Sequence, residues 1–227
     1  MKLVINAELE ARFPGLAVLP VRITGVTVAS PSRELEDFKR SIENEIREHY
    51  TLETLKDISR FRLYRDFFWR VGIDPTKTRP AAEALIRRIL GGRSLPTINN
   101  LVDAYNLASI KTCIAMAAFD SDLLKGDLTL RFATEGEEFL GIAMDHPLTL
   151  RGGEVVMADG ERLVSIYPYR DGEHSKITFR TRNALVLSCG APGISSEALR
   201  EAADVAAEYV TRYCGGSRGI FSQDTDV

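Results

Sequence analysis

A series of short strand-like segments between residues 114 and 189 most constrains what this chain can fold into. Each segment is rich in aliphatic, aromatic or β-branched residues, and turns containing Asp, Gly or Pro separate it from the next. Short strands that follow one another directly form antiparallel sheets or barrels, whereas parallel strands need an intervening helix. The sequence therefore predicts an antiparallel sheet or barrel from residues 114–119, 127–133, 137–143, 154–158, 162–169, 176–181 and 183–189.

Helical patterns lie on both sides of this strand-rich region, and residues 16–28 add one or two strands before the first helix. Apolar residues recur at helical spacing, with Ser, Pro and Gly where helices begin or end. The aromatic residues of segment 61–69 are expected in the core rather than on a base-stacking surface. We predict helices starting at Ser30–Pro31 and over residues 51–71, 80–90, 97–111 and 195–214, then a frayed Gly215–Gly216 tail.

These elements predict one α+β domain over residues 1–227, with helices packed on an antiparallel β-sheet or barrel core. The chain is 44% hydrophobic and 27% charged, which is typical of soluble globular proteins. No apolar run approaches the roughly 18 residues of a membrane helix, and charges near the start argue against a secretory signal. Three widely spaced cysteines favour a reducing cytoplasm. We therefore expect a cytoplasmic protein without membrane partner, metal or cofactor.

Positive charge is concentrated between Arg60 and Arg93. This segment has nine Lys and Arg residues against three acids, although the whole chain has a formal net charge of −3. Within it, Glu83 and Arg87 stand four residues apart and are expected to pair on a helix. A basic segment in an acidic protein is expected to meet an anion.

A turn in this segment combines two hydroxyls and two cations between two prolines, next to a helix start. Backbone N–H groups at a helix N-terminus, together with Lys and Arg, favour a phosphate or carboxylate. A capped, solvated turn explains the same composition equally well. The residues concerned are Thr76, Lys77, Thr78 and Arg79.

The helix predicted over residues 97–111 has an unusual polar face. Ile98, Val102 and Tyr105 belong to its apolar face, whereas three Asn and one Asp lie opposite. Asn and Asp are poor helix formers, so a hydrogen-bonding role is one interpretation and an ordinary polar face is the other. The polar residues are Asn99, Asn100, Asp103 and Asn106.

Several of these segments resemble the B3/B4 domain, the editing module of the bacterial phenylalanyl-tRNA synthetase β chain, and especially its free-standing relatives. The similarity covers about residues 61–189 and leaves a strand and helix extension (1–60) and a closing helix (195–214) as weaker matches. The resemblance implies a B3/B4-like fold. The motifs are GIDPTKTRPAAEALIRRIL (72–90), LPTINNLVDAYNLASI (95–110), AAFD (117–120), GDLTLRFATEGE (126–137) and YPYRDGEHSKITFRTRNALVL (167–187).

In the synthetase this domain hydrolyses tRNA that carries tyrosine in place of phenylalanine, which removes an error that binding alone does not prevent. The resemblance therefore implies a trans-acting aminoacyl-tRNA deacylase, with aminoacylated tRNA as partner and a synthetase as a further candidate partner. A non-catalytic module that binds tRNA or an amino acid is the main alternative. A small-molecule enzyme that uses the same pocket is a third.

The residues that match the family's editing pocket are only partly retained. Asn106 matches the pocket asparagine, and Tyr105 replaces the neighbouring threonine. Ala117 stands where the synthetase domain has its pocket histidine, and Leu187 stands at about the position of its pocket glutamate. The comparison therefore argues against tyrosyl-tRNA as the substrate and against hydrolysis through that histidine.

A deacylase of this kind needs little beyond a positioned water, donors for the oxyanion and a ribose hydroxyl of the tRNA. Asp171 is expected either to act as a base or to brace Arg170. The Arg residues of the basic segment are expected either to contact tRNA phosphates or simply to form a solvated helix face. The resemblance suggests a catalytic set of Asn106, Lys111, Thr112, Arg170, Asp171, Lys176 and Thr178. Substrate binding is assigned to Thr76, Lys77, Thr78, Arg79, Asn99, Asn100, Asp103 and Thr181, and tRNA phosphate binding to Arg87, Arg88 and Arg93.

Overall fold

The chain forms an α+β fold in a computed structural model, which describes residues 1–219. Two short 3-10 helices, Thr54–Asp57 and Glu173–Ser175, accompany the longer elements. The α-helices are α1 (Ala7–Arg12), α2 (Arg33–His49), α3 (Ser59–Arg70), α4 (Ala81–Leu90), α5 (Asn100–Thr112) and α6 (Ser196–Cys214). The strands are β1 (Leu3–Ile5), β2 (Val18–Thr24), β3 (Ala115–Asp120), β4 (Leu128–Phe132), β5 (Glu138–Phe139), β6 (Leu148–Thr149), β7 (Val155–Ala158), β8 (Leu163–Ile166), β9 (Arg170–Asp171), β10 (Asn183–Cys189) and β11 (Ser217–Gly219).

Two open sheets form the β part of residues 1–219. One has the strand order β11-β2-β10-β3 and is antiparallel throughout, and α5 and α6 pack on it. The other has the order β1-β4-β7-β8-β9, in which only β1 and β4 pair in parallel. A short β5-β6 pair stands apart. The predicted α+β fold with antiparallel strands is therefore confirmed, as open sheets rather than a closed barrel.

The aromatic residues of α3 connect the helices to the four-stranded sheet. Phe61, Tyr64, Phe67 and Phe68 are buried, as their helical spacing predicts. The Tyr64 hydroxyl accepts a 2.9 Å hydrogen bond from the N–H of Ala115 on β3 and also donates to a carbonyl of β10. The single tryptophan of this run differs, because Trp69 is 57% exposed and does not belong to the core.

Several expectations about local structure are wrong. The helix expected over residues 51–71 begins only at Ser59, after the 3-10 helix Thr54–Asp57. Residues 176–181 form a turn rather than a strand, because the Thr181 hydroxyl accepts a 3.0 Å hydrogen bond from the N–H of Thr178. The glycines at 215–216 lead into β11 rather than a frayed tail, and β11 pairs with β2. A Cβ at Gly216 would lie 2.4 Å from the carbonyl oxygen of Thr24, so this close approach requires glycine.

Candidate functional site

A cavity of about 360 Å³ lies between α5, β3, β9 and the segment after the second 3-10 helix. Its volume falls within the range of small-molecule sites, about 300–1,000 Å³. Most of its wall is aliphatic or aromatic, and three polar side chains converge on it. The lining residues are Ile98, Val102, Tyr105, Asn106, Ala118, Ile142, Asp171, Lys176 and Ile177.

Helix α5 presents Val102, Tyr105 and Asn106 to this cavity. The helix begins where the side chain of Asn99 accepts a 2.9 Å hydrogen bond from the N–H of Val102, which satisfies one of the free donors of the first turn. Residues three and four positions apart share a helix face, so Tyr105 and Asn106 lie on the same side of the helix as Val102. Asn99 is therefore a helix cap in this structure and does not line the cavity.

The other two polar residues of α5 hold the helix in place. The buried amide of Asn100 accepts from the N–H of Ala29 at 2.9 Å and donates to the carbonyls of Thr27 and Tyr213 at 3.0 and 2.9 Å. These bonds use both ends of its amide group. Asn100, expected to bind substrate, instead joins α5 to the loop after β2 and to α6.

Asp103 is also buried, and its carboxylate contacts the ammonium group of Lys39 at 2.7 Å. It also accepts a 3.0 Å hydrogen bond from the N–H of Ile98, which positions that residue at the cavity wall. Burial raises the pKa of Asp103, and the bond from Lys39 opposes this rise. Its contacts are therefore those of a positioning residue, and Asn106 is the one polar side chain of the predicted face that lines the cavity.

Asn106 has no hydrogen bond to its side chain within residues 1–219, and the residue is partly buried. An amide carries donors and an acceptor, so this group is available to a ligand. It is also the residue that the resemblance places at the position of the pocket asparagine.

Asp171 lines the cavity from β9, and its carboxyl group interacts with two other lining residues, through the N–H of Ala118 and electrostatically with Tyr105. The residue is only partly exposed, and burial of the carboxyl raises its pKa to about 7, while the N–H of Ala118 opposes this rise. No ion pair joins Asp171 to another group within residues 1–219. The expected brace between Asp171 and Arg170 is therefore absent from this part of the chain.

Arg170 and Lys176 flank Asp171 but have other neighbours. Arg170 is exposed, and its methylene groups lie over Gly141, where an added Cβ would be 2.7 Å from Cδ. Lys176 lines the cavity and donates to the carboxylate of Glu173. The backbone of Asp171 accepts a 2.9 Å hydrogen bond from the N–H of Ile142, which holds Ile142 at the cavity wall.

Four other expected site residues lie outside this lining. Lys111 pairs with Glu45 of α2 at 2.6 Å on the surface, and the hydroxyl of Thr112 donates to the Ala108 carbonyl at 2.8 Å. Thr178 and Thr181 close the turn described above, and Thr178 also lines a neighbouring depression of about 600 Å³. None of the four contributes to the cavity around Asn106.

The turn before α4 has the contacts of a capped turn. The carboxylate of Asp74 accepts from the N–H and hydroxyl of Thr76 at 2.8 and 2.6 Å, and these bonds lower the pKa of Asp74. Thr78 donates its N–H to the Asp74 carbonyl at 2.9 Å, and Lys77 lies 3.9 Å from the same carboxylate. The hydrogen bonds agree with the capped-turn alternative, and Thr76, Lys77, Thr78 and Arg79 lie outside the cavity lining.

One buried acid brings three Arg side chains of the basic segment together. The Glu83 side chain is fully buried, and its oxygens accept from Nε of Arg65 at 2.9 Å and Nε of Arg87 at 2.6 Å, while Nε of Arg79 lies at 4.0 Å. Burial alone would raise the pKa of Glu83, but the bonds from the two closer guanidinium groups lower it. The predicted pairing of Glu83 with Arg87 is confirmed.

The remaining expected phosphate-binding residues differ from each other. Arg88 donates to the carbonyl of Ser94 at 2.6 Å, which closes the turn after α4. Arg93 is exposed and has no side-chain partner within residues 1–219. Arg93 is thus free to meet a phosphate, whereas Arg87 is part of the internal cluster.

A model of the B3/4 domain family matches residues 63–215, which is more than half of the chain. The chain belongs to the B3/4 domain family. This membership confirms the resemblance that the motifs indicate. It also agrees with the α+β fold and places all nine cavity residues inside the family match.

This B3/4 domain protein is similar to phenylalanine–tRNA ligase β subunits of several bacteria. It is 36% identical over 93 residues to that of Fusobacterium nucleatum, covering 40% of this chain and 11% of the relative. It is 36% identical over 112 residues to that of Geobacter sulfurreducens, covering 48% of this chain and 14% of the relative. The B3/4 domain protein thus spans only a small part of these relatives' length.

A solved structure supports the same architecture. The crystal structure of an N-terminal fragment of the phenylalanyl-tRNA synthetase β-subunit from Pyrococcus horikoshii matches with a TM-score of 0.52. The match covers 96% of this B3/4 domain protein and 50% of the fragment, at 12% sequence identity. At this identity the similarity shows a shared fold.

The two positions at which the resemblance places the synthetase's histidine and glutamate face each other in this structure. Ala117 and Leu187 are cross-strand partners of β3 and β10, both are buried, and neither lines the cavity around Asn106. Ala118, which follows Ala117 on β3, points to the other face of the sheet and lines the cavity. The chemistry of this cavity must therefore be argued from its own residues.

Sequence reasoning missed most of the cavity wall beyond α5. Ile142 and Ile177 lie in irregular segments, where no periodicity marks a residue as part of a site. Exposed aliphatic residues are the structural signal, because Ile98 and Ile142 are 53% and 39% exposed although they are large and apolar. No helix in residues 1–219 has the length and apolarity of a membrane span, and no potential metal-binding group of three or more His, Cys, Asp or Glu occurs there.

Proposed function

We propose that this B3/4 domain protein is a trans-acting aminoacyl-tRNA deacylase, which hydrolyses the ester of a mischarged tRNA other than tyrosyl-tRNA. The main support is the cavity of about 360 Å³ in which Asn106 lies without an internal hydrogen-bond partner. Asn106 matches the asparagine of the family's editing pocket. Family membership supplies the second support.

The cavity contains the groups that ester hydrolysis needs. An aminoacyl ester is already activated, so a positioned water and donors toward the developing oxyanion suffice. The Asn106 amide can donate to the oxyanion or orient the water, and one such donor contributes about 10²–10³-fold to the rate. The Lys176 ammonium group, paired with Glu173, supplies a second donor at the same wall.

The aliphatic wall indicates the class of amino acid removed. Ile98, Val102, Ile142 and Ile177 leave few polar partners for a hydroxyl on the amino-acid side chain. A buried hydroxyl without a partner is unfavourable, so such a wall favours an aliphatic side chain over tyrosine.

A non-catalytic binding module is the second candidate. It is favoured by Ala117 and Leu187, because the resemblance assigns the synthetase's pocket histidine and glutamate to these positions and apolar core residues occupy them here. In this case the cavity would hold an aminoacylated tRNA end or a free amino acid without cleaving a bond.

A deacylation panel distinguishes the two candidates. Correctly and wrongly charged tRNAs are incubated with wild type, Asn106→Ala, Lys176→Ala and two surface controls, Asn44→Ala and Lys56→Ala. Asn44 and Lys56 are exposed and line no part of the cavity. We expect accelerated loss of a mischarged species, reduced about 10²-fold or more by Asn106→Ala and unchanged in the controls.

Other outcomes of the panel are equally informative. Tight tRNA binding without acceleration for any species would favour the binding module. Acceleration that survives Asn106→Ala would place the chemistry elsewhere in the protein. Absence of both binding and acceleration would refute both candidates.

A further inference from the structure

The Asp171 carboxyl group is the one acid that lines the cavity, and it lacks a cation within residues 1–219. Six of the nine lining residues carry apolar or aromatic side chains. A carboxylate enclosed by such a wall is unfavourable unless it is protonated or meets a cation. The raised pKa of this group, about 7, agrees with an uncompensated carboxyl.

The neighbouring cations do not compensate this charge. Lys176 enters the same wall, but its ammonium group donates to Glu173. Arg170 precedes Asp171 in β9, and adjacent residues of a strand point to opposite faces. The methylene groups of Arg170 lie against Gly141, and the residue is exposed. The cavity therefore has an unmet need for one positive charge beside an aliphatic surface.

An aminoacyl ester with a free amine has this combination of groups. Its α-ammonium group is a compact cation with three donors, and an aliphatic side chain occupies the next position on the same carbon. We propose that Asp171 binds the α-ammonium group of the aminoacyl ester, so that the site accepts esters with a free amine and rejects N-acylated ones. This inference rests on the proposed deacylase function and assigns the substrate class of the same site.

Rejection of N-acylated esters follows from the same geometry. Acylation replaces the ammonium group with a neutral amide, which cannot pair with the carboxylate and adds bulk at the wall where Asp171 lies. A site built to bind a polar group discriminates strongly against an analogue that lacks it, because its own buried group is left unpaired. Peptidyl-tRNA, whose amine is acylated, would thus escape hydrolysis.

The role of Asp171 as a general base predicts a different pattern. A base acts on water, so its loss would slow hydrolysis of free and N-acylated esters alike. An ammonium-binding residue affects only the substrate that carries the ammonium group. The ratio of the two substrates therefore separates the two roles, whatever the absolute rate.

The binding test uses analogues that the protein cannot hydrolyse. Amide-linked 3′-aminoacylamino-3′-deoxyadenosines carrying alanyl, valyl, leucyl or isoleucyl groups are prepared with a free amine and with an N-acetyl group. Their affinities for wild type, Asp171→Asn and Asp57→Asn are measured by calorimetry at pH 8. Asp57 is an exposed acid outside the cavity and gives a charge-matched control.

We expect the free amine to bind wild type and Asp57→Asn about 10- to 100-fold more tightly than its N-acetyl form, as for a charge-assisted hydrogen bond. Asp171→Asn should weaken the free amine by a similar factor and leave the N-acetyl form unchanged. Equal affinities of the two forms for wild type would overturn the proposal without any variant, even if Asp171→Asn failed to fold.

A rate measurement separates this inference from the function on which it rests. Deacylation of a mischarged tRNA is compared with that of the same tRNA after N-acetylation. If both forms are hydrolysed at equal rates, the deacylase stands and the role of Asp171 is refuted. If neither is hydrolysed and no analogue binds, the proposed function itself is refuted together with the inference.

Discussion

Glu83 allows a direct test of whether the buried ion pairs of the basic segment stabilise the fold. Its carboxylate has no solvent exposure, and it accepts from the guanidinium groups of Arg65 and Arg87. The change Glu83→Gln keeps the shape but removes the charge. The two Arg side chains, 24% and 25% exposed, would then face each other across a neutral amide.

The size of the effect follows from burial and from the number of bonds. Removing one partner of a buried ion pair costs about 3–5 kcal/mol, because the remaining charge is left uncompensated. The two Arg side chains reach water, so the lower end applies and we expect about 3 kcal/mol. For a protein of this length that corresponds to a fall in Tm of about 6–12 °C.

Urea unfolding at pH 7 measures this loss, with Glu45→Gln as the matched control. Glu45 also makes a 2.6 Å ion pair, with Lys111, but the two side chains are 43% and 44% exposed. Such surface pairs contribute about 0–1 kcal/mol. If Glu83→Gln loses no more free energy of unfolding than Glu45→Gln, the buried cluster does not stabilise the fold and our reasoning is wrong.

The pH dependence gives a second check on the same residue. The pKa of Glu83 is lowered in the folded protein, so its stabilisation is present above the unfolded value of about 4.3. It is lost as the pH falls through the folded pKa. The difference between wild type and Glu83→Gln should therefore be full at pH 7 and shrink below about pH 4. A difference that stays constant down to pH 3 would contradict this assignment.

Three further predictions concern the surface, the cavity and the tryptophan. Arg93→Ala should lower the slope of log affinity for tRNA against log salt by about 1, whereas Arg87→Ala should chiefly destabilise the fold; an unchanged slope for Arg93→Ala in salt titrations would exclude a phosphate contact. Asp171→Asn should raise the free energy of unfolding by up to about 4 kcal/mol at pH 8, because the folded pKa lies about three units above the unfolded value of about 3.9, and by little at pH 4. The reason is that the pKa of Asp171 is raised to about 7 in the folded protein, so ionisation of this carboxyl destabilises the folded state as the pH rises. Lys176 is the one other charged residue in the cavity lining. Equal urea midpoints at pH 8 would contradict it. Iodide should readily quench the fluorescence of Trp69, which is 57% exposed, and protection from iodide would show that it is covered.

The elements that local pattern predicts well are those whose apolar periodicity is continuous. Strands β3 and β10 are nearly wholly buried runs, and α6 has a regular apolar face, so their positions follow from the chain itself. The segment 176–181 contains β-branched residues but turns, because the Thr181 hydroxyl offers the backbone another partner. The parallel pairing of β1 with β4 joins residues far apart in sequence and leaves no local signal.

The candidate site shows the same limit at the level of single side chains. Asn100, Asp103 and Asn106 have similar chemistry and lie on one helix. The first two are used by partners far away in sequence, such as Tyr213 and Lys39, whereas Asn106 lines the cavity. Residue type predicts that a helix face can form hydrogen bonds. Only tertiary structure decides which of its members already have a partner.

Under the proposed function, Gly141 would allow substrate choice to change from a position outside the cavity lining. A side chain there would meet Cδ of Arg170 at 2.7 Å and Sδ of Met144 at 2.9 Å, so either neighbour or the loop would have to move. The next residue, Ile142, forms cavity wall and is bonded to the backbone of Asp171. Replacement of Gly141 by alanine or serine would thus change the shape of the cavity by shifting the loop that carries Ile142. A library aimed at new amino-acid preference should include this position with the lining residues.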